Sequence, residues 1–162
     1  MTGPGGWALR PEAYDTADAS ALRRDYYDEV ASRYWQRPAT AAEIDEGLTN
    51  DGVEQLAAPT GQFLVGRYEG KPAACGGVLL LDEERAELTR VFVRSPFRGS
   101  GGSGLLLRGL EDAARELGAR RMVLNTRLDL IEARTLYTRH GYAEIPAYCE
   151  GPYMDIWYGK KL

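Results

Sequence analysis

The sequence is poor in the residues that bind transition metals. Its 162 residues include one histidine, His140, and two cysteines, Cys75 and Cys149. The cysteines lie far apart and show none of the short spacings of a zinc site, and a single histidine does not complete a ligand set with them. We therefore expect no metal, and we expect both thiols to be reduced and structural, as in a reducing compartment.

Long apolar segments and an excess of basic charge are also missing. No window approaches the ~18 consecutive apolar residues that a membrane span requires, and residues 1–6 lack the charged and apolar regions of a signal peptide. Twenty Lys and Arg residues against 24 Asp and Glu residues give a formal net charge of −4, which argues against binding to nucleic-acid phosphates. We expect a cytoplasmic protein without membrane or nucleic-acid partners.

The composition fits one globular domain. Hydrophobic residues make up 44% and charged residues 27% of the chain, and a chain of this length can bury roughly 70% of the surface that its unfolded state exposes. We predict a single domain over residues 1–162, in which the glycine- and proline-rich residues 1–6 form a flexible start.

Hydrophobic periodicity predicts strands and helices along the whole chain. The predicted strands cover residues 7–10, 63–68, 73–81, 86–93, 121–124, 142–145 and 153–158. The first helix begins near residues 15–20 and ends before Pro38, and the others cover residues 41–48, the end of a glycine-rich run to residue 117, and residues 131–139. The order β-α-α-β-β-β-α-β-α-β-β predicts an α/β fold, of mixed α+β type, with one sheet flanked by helices.

The glycine-rich run follows the strand over residues 86–93 and precedes a helix. It reads Arg98-Gly99-Ser100-Gly101-Gly102-Ser103-Gly104. The first turn of a helix has unpaired N–H groups and a partial positive charge, and glycine lets phosphate oxygens approach the backbone. Arg98 adds a positive charge that suits phosphate. The run therefore predicts a phosphate-binding site.

Other interpretations of the run have less support. A simple flexible turn does not need so many glycines. The literal match of residues 99–104 to G-x-G-x-x-G suggests a dinucleotide, but the predicted strand over residues 121–124 is followed by Asn125 and Thr126, and no carboxylate appears before Asp129. A dinucleotide site needs that carboxylate to hold the ribose. No Gly-Lys-Ser/Thr follows the run, which excludes a P-loop.

Two segments resemble motifs of the GNAT superfamily of acyl-CoA N-acyltransferases. Residues 91–106 resemble its strand, R/Q-x-x-G-x-G/A run and amphipathic helix: Arg98 and Gly101 match, and Ser103 stands where Gly or Ala is usual. Residues 133–142 are similar to the family's A-x-x-L-Y-x-x-x-G-F/Y segment, and Leu130 stands where an asparagine is frequent, so no contact of that asparagine is carried over. Together the segments cover residues 86–142 well.

The resemblance implies a GNAT-like fold, with a central, mostly antiparallel sheet flanked by helices, and acetyl-CoA as co-substrate. It implies direct transfer of the acetyl group to a primary amine of a small molecule or peptide in a ternary complex, and a homodimer would be typical of the family. The backbone of Val91 and Val93 would pair with the pantetheine arm. An N–H near Phe92 or Val93 would stabilise the oxyanion, which is typically worth ~3 kcal/mol. The cofactor-binding residues would be Val91, Phe92, Val93, Arg98, Gly99, Ser100, Gly101, Gly102, Ser103 and Gly104.

Catalytic roles follow from the same resemblance. Tyr137 takes the place of the family's general acid, which supports the departing thiolate. Glu87 is the candidate base, directly or through a water, and Glu29 is the second choice. We interpret His140 as a cation at the end of its helix. Cys75 lies in the middle of a strand, where no histidine is placed to activate it, so an acyl-cysteine route is not expected.

The sequence does not identify the acceptor amine. In this family the first helices cover the acceptor side, and here they carry aromatic and acidic residues: Asp25, Tyr26, Tyr27, Asp28, Glu29, Tyr34 and Trp35. This composition suits an aromatic or cationic amine, and it equally suits a solvated helix face. A non-catalytic acyl-CoA-binding module would share the glycine-rich run, and a dinucleotide-binding oxidoreductase is the remote alternative.

Overall fold

The computed structural model describes residues 2–162, so residue 1 of the predicted flexible start lies outside the described residues. The elements are β1 (Trp7–Pro11), α1 (Ala17–Trp35), α2 (Ala41–Thr49), β2 (Gly61–Tyr68), β3 (Lys71–Leu80), β4 (Arg85–Val93), α3 (Gly102–Glu116), β5 (Arg121–Thr126), α4 (Ile131–Arg139), β6 (Ala143–Glu144) and β7 (Ile156–Lys161). Their order is the predicted one.

The last two strands differ from their predicted bounds. β6 has two residues instead of four, and β7 begins at Ile156 instead of residue 153. Tyr153 lies in a turn with φ of 70°, which is outside the extended range of regular strand residues. Pairing with β5 therefore begins only at Ile156, opposite Thr126.

One seven-stranded sheet organises the fold, with the strand order β1-β2-β3-β4-β5-β7-β6. Every neighbouring pair is antiparallel except β4 and β5, which are parallel. This confirms the expected mostly antiparallel sheet. It differs from the parallel sheet of a doubly wound dinucleotide-binding domain.

Hydrophobic clusters lie on the two faces of the sheet. Leu106, Leu107 and Leu110 of α3 pack on one face against residues such as Val78 and Met122. On the opposite face Leu22 of α1 packs in a cluster whose other buried members are Ala19, Val53, Leu56, Phe63, Val65, Cys75 and Phe92. Both faces are thus covered, which explains the predominantly apolar sequence of β2 and β3.

A bulge in β4 changes which face its side chains reach. Arg90 has φ of 56°, and the register with β3 shifts at this point. Leu88 packs in the cluster against α3, whereas Phe92 packs in the cluster against α1, although both are even-numbered. One extra residue reverses the alternation, as expected for a β-bulge. The pairing of β4 with β5 ends just before the bulge, at Glu87 opposite Val123.

Asp51 anchors the bulge from the α1 side. Its carboxylate is 2% exposed and lies 3.3 Å from the guanidinium of Arg23 and 3.7 Å from that of Arg90. Arg90 also donates a hydrogen bond to the backbone carbonyl of Asp51. A buried carboxylate between two arginines offsets the cost of burying their charge, so the polar contacts hold Arg90 in its unusual backbone conformation.

Candidate active site

A cavity of about 450 Å³ opens where β4 and β5 separate. Its walls come from α1, β4, the glycine-rich run, β5 and the start of α4. Its lining comprises Tyr26, Glu29, Val30, Arg33, Glu87, Leu88, Thr89, Arg90, Val91, Phe92, Val93, Phe97, Arg98, Gly99, Gly102, Ser103, Asn125, Thr126, Leu130, Glu132, Ala133, Leu136 and Tyr137. Because pairing with β5 ends at Glu87, β4 presents a backbone edge without a strand partner to this cavity.

The glycine-rich run forms one end of the cavity. Gly99, Gly102 and Ser103 line it, together with Val91, Phe92, Val93 and Arg98 from the predicted set. Gly101 is the N-cap of α3 with φ of 89°, which favours glycine. The N–H groups of the first turn of α3 therefore stand beside the cavity.

Two members of the predicted set have structural contacts with Trp7: Ser100, which does not line the cavity, and Gly102, which does. Ser100 accepts a hydrogen bond of 2.9 Å from Nε1 of Trp7 and donates one of 2.5 Å to the carbonyl of Phe97. Gly102 lies so close to the Trp7 ring that an added Cβ would be 2.2 Å from it. Trp7 of β1 thus fixes the conformation of the run.

The guanidinium of Arg98 forms hydrogen bonds with two groups of the protein itself. Its Nε donates a hydrogen bond of 2.8 Å to the carbonyl of Val93, and its Nη2 lies 2.7 Å from a carboxylate oxygen of Glu29 on α1. The charge that the sequence suggested for a phosphate therefore faces a carboxylate across the cavity. Glu29, the second candidate base, is likewise occupied by this ion pair.

Tyr137 lines the cavity from α4. Its ring packs against Tyr142 and Tyr158, with centroid distances of 5.9 and 6.3 Å. Burial, with a smaller contribution from Tyr26, raises the pKa of Tyr137. Its phenol therefore stays protonated at neutral pH and is able to donate a hydrogen bond.

Glu87 lies in the same cavity and has a partner that the sequence did not suggest. Tyr148, in the segment between β6 and β7, donates a hydrogen bond of 2.7 Å to Glu87. Asn125 of β5 also lines the cavity and contacts the sulfur of Cys149 at 3.9 Å. No local sequence pattern distinguishes Tyr148 and Asn125, because strand pairing and the path of the segment bring them here.

The remaining reactive side chains lie elsewhere. Cys75 is buried, which raises the pKa of its thiol to about 12. His140 does not line the cavity and is the C-cap residue of α4, and burial together with neighbouring cations lowers its pKa. Within residues 2–162, no three metal-binding side chains cluster as a cation site would require. None of the helices in this range combines the length and apolar character of a membrane span.

Comparisons with known proteins agree with this architecture. The model of the Acetyltransferase (GNAT) family matches residues 19–142. An "IAA acetyltransferase" of Azospirillum brasilense is 32% identical over 102 residues, which are 62% of this chain and 65% of the relative, so the match spans slightly less than two thirds of the relative's length.

Solved structures show the same fold. A candidate acyl-CoA N-acyltransferase of Klebsiella pneumoniae superposes with a TM-score of 0.73 and 27% identity, over 96% of this chain and 97% of that chain. A GNAT acetyltransferase of Elizabethkingia anophelis with acetyl-CoA bound superposes with a TM-score of 0.65 and 17% identity, over 97% and 99% of the two chains. The chain therefore belongs to the GNAT acetyltransferase family.

Proposed function

We propose that the protein transfers the acetyl group of acetyl-CoA to a primary amine of a small molecule or peptide, by direct attack in a ternary complex. One observation carries the proposal: a single cavity brings together the glycine-rich run, the unpaired edge of β4, Tyr137 and Glu87. Membership of the acetyltransferase family supports acetyl transfer, as does the likeness to an acetyltransferase of Azospirillum.

The residues present fit acyl-CoA as the co-substrate. The cavity volume of about 450 Å³ lies in the usual range for small-molecule sites. The open edge of β4 offers backbone groups to the amides of a pantetheine arm, and the N–H groups at the start of α3 suit its pyrophosphate. The carbonyl of Val93 is free for such pairing only after Arg98 releases it.

Glu87 and Tyr137 would handle the protons of the reaction. Glu87 accepts a proton from the attacking amine, directly or through a water, as the new C–N bond forms and the thioester C–S bond breaks. Tyr137 donates a hydrogen bond to the departing thiolate. Its raised pKa makes full proton transfer to a thiolate uphill, since a thiol has a pKa of only ~8.5. Tyr137 therefore acts mainly by stabilising the developing negative charge.

Ligand binding and turnover test the proposal separately. We expect acetyl-CoA and CoA, but not NAD, to raise the melting temperature, because a ligand at 100 times its Kd stabilises by ~2.7 kcal/mol. We expect thiol release to require an amine from a broad panel and to fall sharply in Tyr137→Phe. The absence of a shift with either CoA compound would overturn the proposal. Binding without turnover on any amine would favour a non-catalytic acyl-CoA-binding module.

A further inference from the structure

Arg98 contacts two walls of the cavity through one guanidinium group. Its Nε donates a hydrogen bond of 2.8 Å to the carbonyl of Val93, and its Nη2 lies 2.7 Å from Oε1 of Glu29. Val93 belongs to the β4 edge that would pair with the pantetheine arm, whereas Glu29 belongs to α1, where the resemblance places the acceptor side. Because the guanidinium is planar and rigid, a movement that breaks one of these contacts disturbs the other.

Arg98 and acyl-CoA compete for the same backbone group. Pairing of the pantetheine arm with the carbonyl of Val93 requires that Arg98 leave it, and a pyrophosphate at the start of α3 attracts the departing guanidinium. The side chain of Arg98 is 45% exposed, so this movement does not disturb the core. Binding of the co-substrate would therefore separate Arg98 from Glu29.

The arginines near Glu29 are engaged elsewhere. Arg33 lies one turn later on α1, at the spacing of a helical ion pair, but it contacts Glu132 and a backbone carbonyl just before α4, both at 2.9 Å. Arg94 lines a groove beside Glu29 and pairs with Asp25 at 2.8 Å. Departure of Arg98 thus leaves the Glu29 carboxylate, whose side chain is 33% exposed, without the counter-charge that it has among residues 2–162.

Glu29 and Glu87 line the same cavity. Glu87, the candidate base, accepts its hydrogen bond from the neutral phenol of Tyr148. Arg90, which also lines the cavity, lies 3.7 Å from the Asp51 carboxylate on the α1 side. With acyl-CoA bound, the cavity would therefore hold two carboxylates that lack an arginine partner. An acceptor with two amino groups suits both of them, because one amine reacts at Glu87 while the other forms a charge-assisted hydrogen bond with Glu29.

We propose that Glu29 determines acceptor specificity by binding a second ammonium group of the amine substrate, and that Arg98 occupies Glu29 until acyl-CoA binds. The inference rests on the proposed function. It gives the acceptor class as an amine with a second positive charge. It also makes the two substrates cooperative, and because such coupling is reciprocal, each ligand tightens the binding of the other by the same factor.

Diamines and monoamines of equal chain length test the acceptor class. The probes are the α,ω-diamines from 1,3-diaminopropane to 1,6-diaminohexane and the matching alkylamines. For the wild type we expect kcat/KM to be about tenfold higher for the best diamine than for its monoamine, the ratio that one hydrogen bond to a charged group supplies. In Glu29→Gln this ratio should fall close to one, while kcat/KM for the monoamine is retained.

The neighbouring carboxylate provides the matched control. Asp28 precedes Glu29 on α1, is exposed and accepts a hydrogen bond of 3.1 Å from Ser32, and it does not line the cavity. Asp28→Asn removes the same charge from the same helix and should preserve the ratio. Glu29 is partly exposed, so Glu29→Gln should melt close to the temperature of the wild type.

Calorimetric titration measures the coupling without any need for turnover. CoA is expected to bind the wild type about threefold more tightly when the best diamine is present, in line with the small free energy of an exposed ion pair. Glu29→Gln should abolish this difference. Arg98→Gln exposes Glu29 permanently, so without CoA this variant should bind the diamine about threefold more tightly than the wild type does.

The possible results separate this inference from the proposed function. If monoamines are acetylated as efficiently as every diamine, Glu29 does not bind a second ammonium group, and the proposed function stands. An equal loss for the diamine and its monoamine in Glu29→Gln also overturns the inference, because Glu29 would then act on the reacting amine. If no amine supports thiol release, the proposed function fails and this inference fails with it.

Discussion

Tyr148 donates a hydrogen bond of 2.7 Å to Glu87 across 61 positions of sequence. The guanidinium of Arg85 lies over the Tyr148 ring, 5.8 Å from its centroid. Burial and the contact with Glu87 raise the pKa of Tyr148, so its hydroxyl remains a hydrogen-bond donor at neutral pH. The segment between β6 and β7 thereby holds one carboxylate oxygen of the candidate base, Oε2 of Glu87, by a hydrogen bond.

Removal of this hydroxyl should slow turnover without weakening acetyl-CoA binding. In Tyr148→Phe we expect kcat to fall about tenfold, because a hydrogen bond to a charged group is worth about 1.5–3 kcal/mol. The KM for acetyl-CoA should not change, since Tyr148 contacts Glu87 and does not line the cavity at the glycine-rich run. Steady-state kinetics with the best amine of the panel provides the measurement.

A second tyrosine of the same segment provides the control. Tyr153 is 55% exposed, and Tyr153→Phe should leave kcat unchanged. If Tyr148→Phe raised the KM for acetyl-CoA and left kcat intact, the hydroxyl would not position Glu87.

The ion pair between Arg98 and Glu29 should compete with binding of CoA. Glu29→Gln frees Arg98 and removes a negative charge near the run, so we expect the Kd for CoA to fall roughly threefold, in line with the small free energy of an exposed ion pair. Titration calorimetry measures the Kd for CoA. The control is Glu46→Gln on the exposed face of α2, which should leave this Kd unchanged. Weaker binding by Glu29→Gln would mean that the pair supports the site. Loss of turnover in this variant, but not in Glu87→Gln, would make Glu29 the base.

Two glycines of the run should respond oppositely to alanine. Gly102→Ala places a Cβ 2.2 Å from the Trp7 ring, and such overpacking should lower the free energy of unfolding by about 1–3 kcal/mol. Gly104→Ala meets only the flexible end of Arg108 and His140, at 3.3 Å or more. Because alanine is the better helix former by ~1 kcal/mol, this variant should be as stable as the wild type or more stable. Urea unfolding distinguishes the two, and equal effects would contradict the tight contact with Trp7.

Asp51 should be needed for stability and for the shape of β4. In Asp51→Asn two buried arginines lose their counter-charge, and we expect a loss of about 3–5 kcal/mol in the free energy of unfolding. The matched control is Asp45→Asn, which removes the exposed contact with Arg24 at 2.6 Å and should cost at most about 1 kcal/mol. Denaturant titration measures both, and a loss of similar size in the two variants would argue against a structural role for the buried network.

Much of the fold was accessible from the sequence because its signals are local. Periodicity and turn residues placed all the helices and strands in order. The start of α2 depends on neighbouring residues as well: Thr40 accepts a hydrogen bond from the N–H of Glu43, whose side chain accepts one from the N–H of Thr40. The glycine-rich run was recognisable because a strand, the run and a helix are contiguous in the chain. Gly99, Gly102 and Ser103 of the run line the same cavity as Tyr137 and Glu87.

Contacts between residues that are far apart in the sequence determine the features that the sequence did not predict. The extra residue at Arg90 reverses the alternation of β4, and it depends on Asp51, 39 positions away. Arg98 looked like a free cation in the sequence, but α1 places Glu29 beside it from 69 positions away. The partner of Glu87 comes from the segment before β7, whose start was predicted three residues too early. The sequence by itself determined the elements and the family, because these follow from neighbouring residues. Only the tertiary structure decided which charges are paired and which are free, because an ion pair forms between whichever side chains the packing of the sheet and helices brings together.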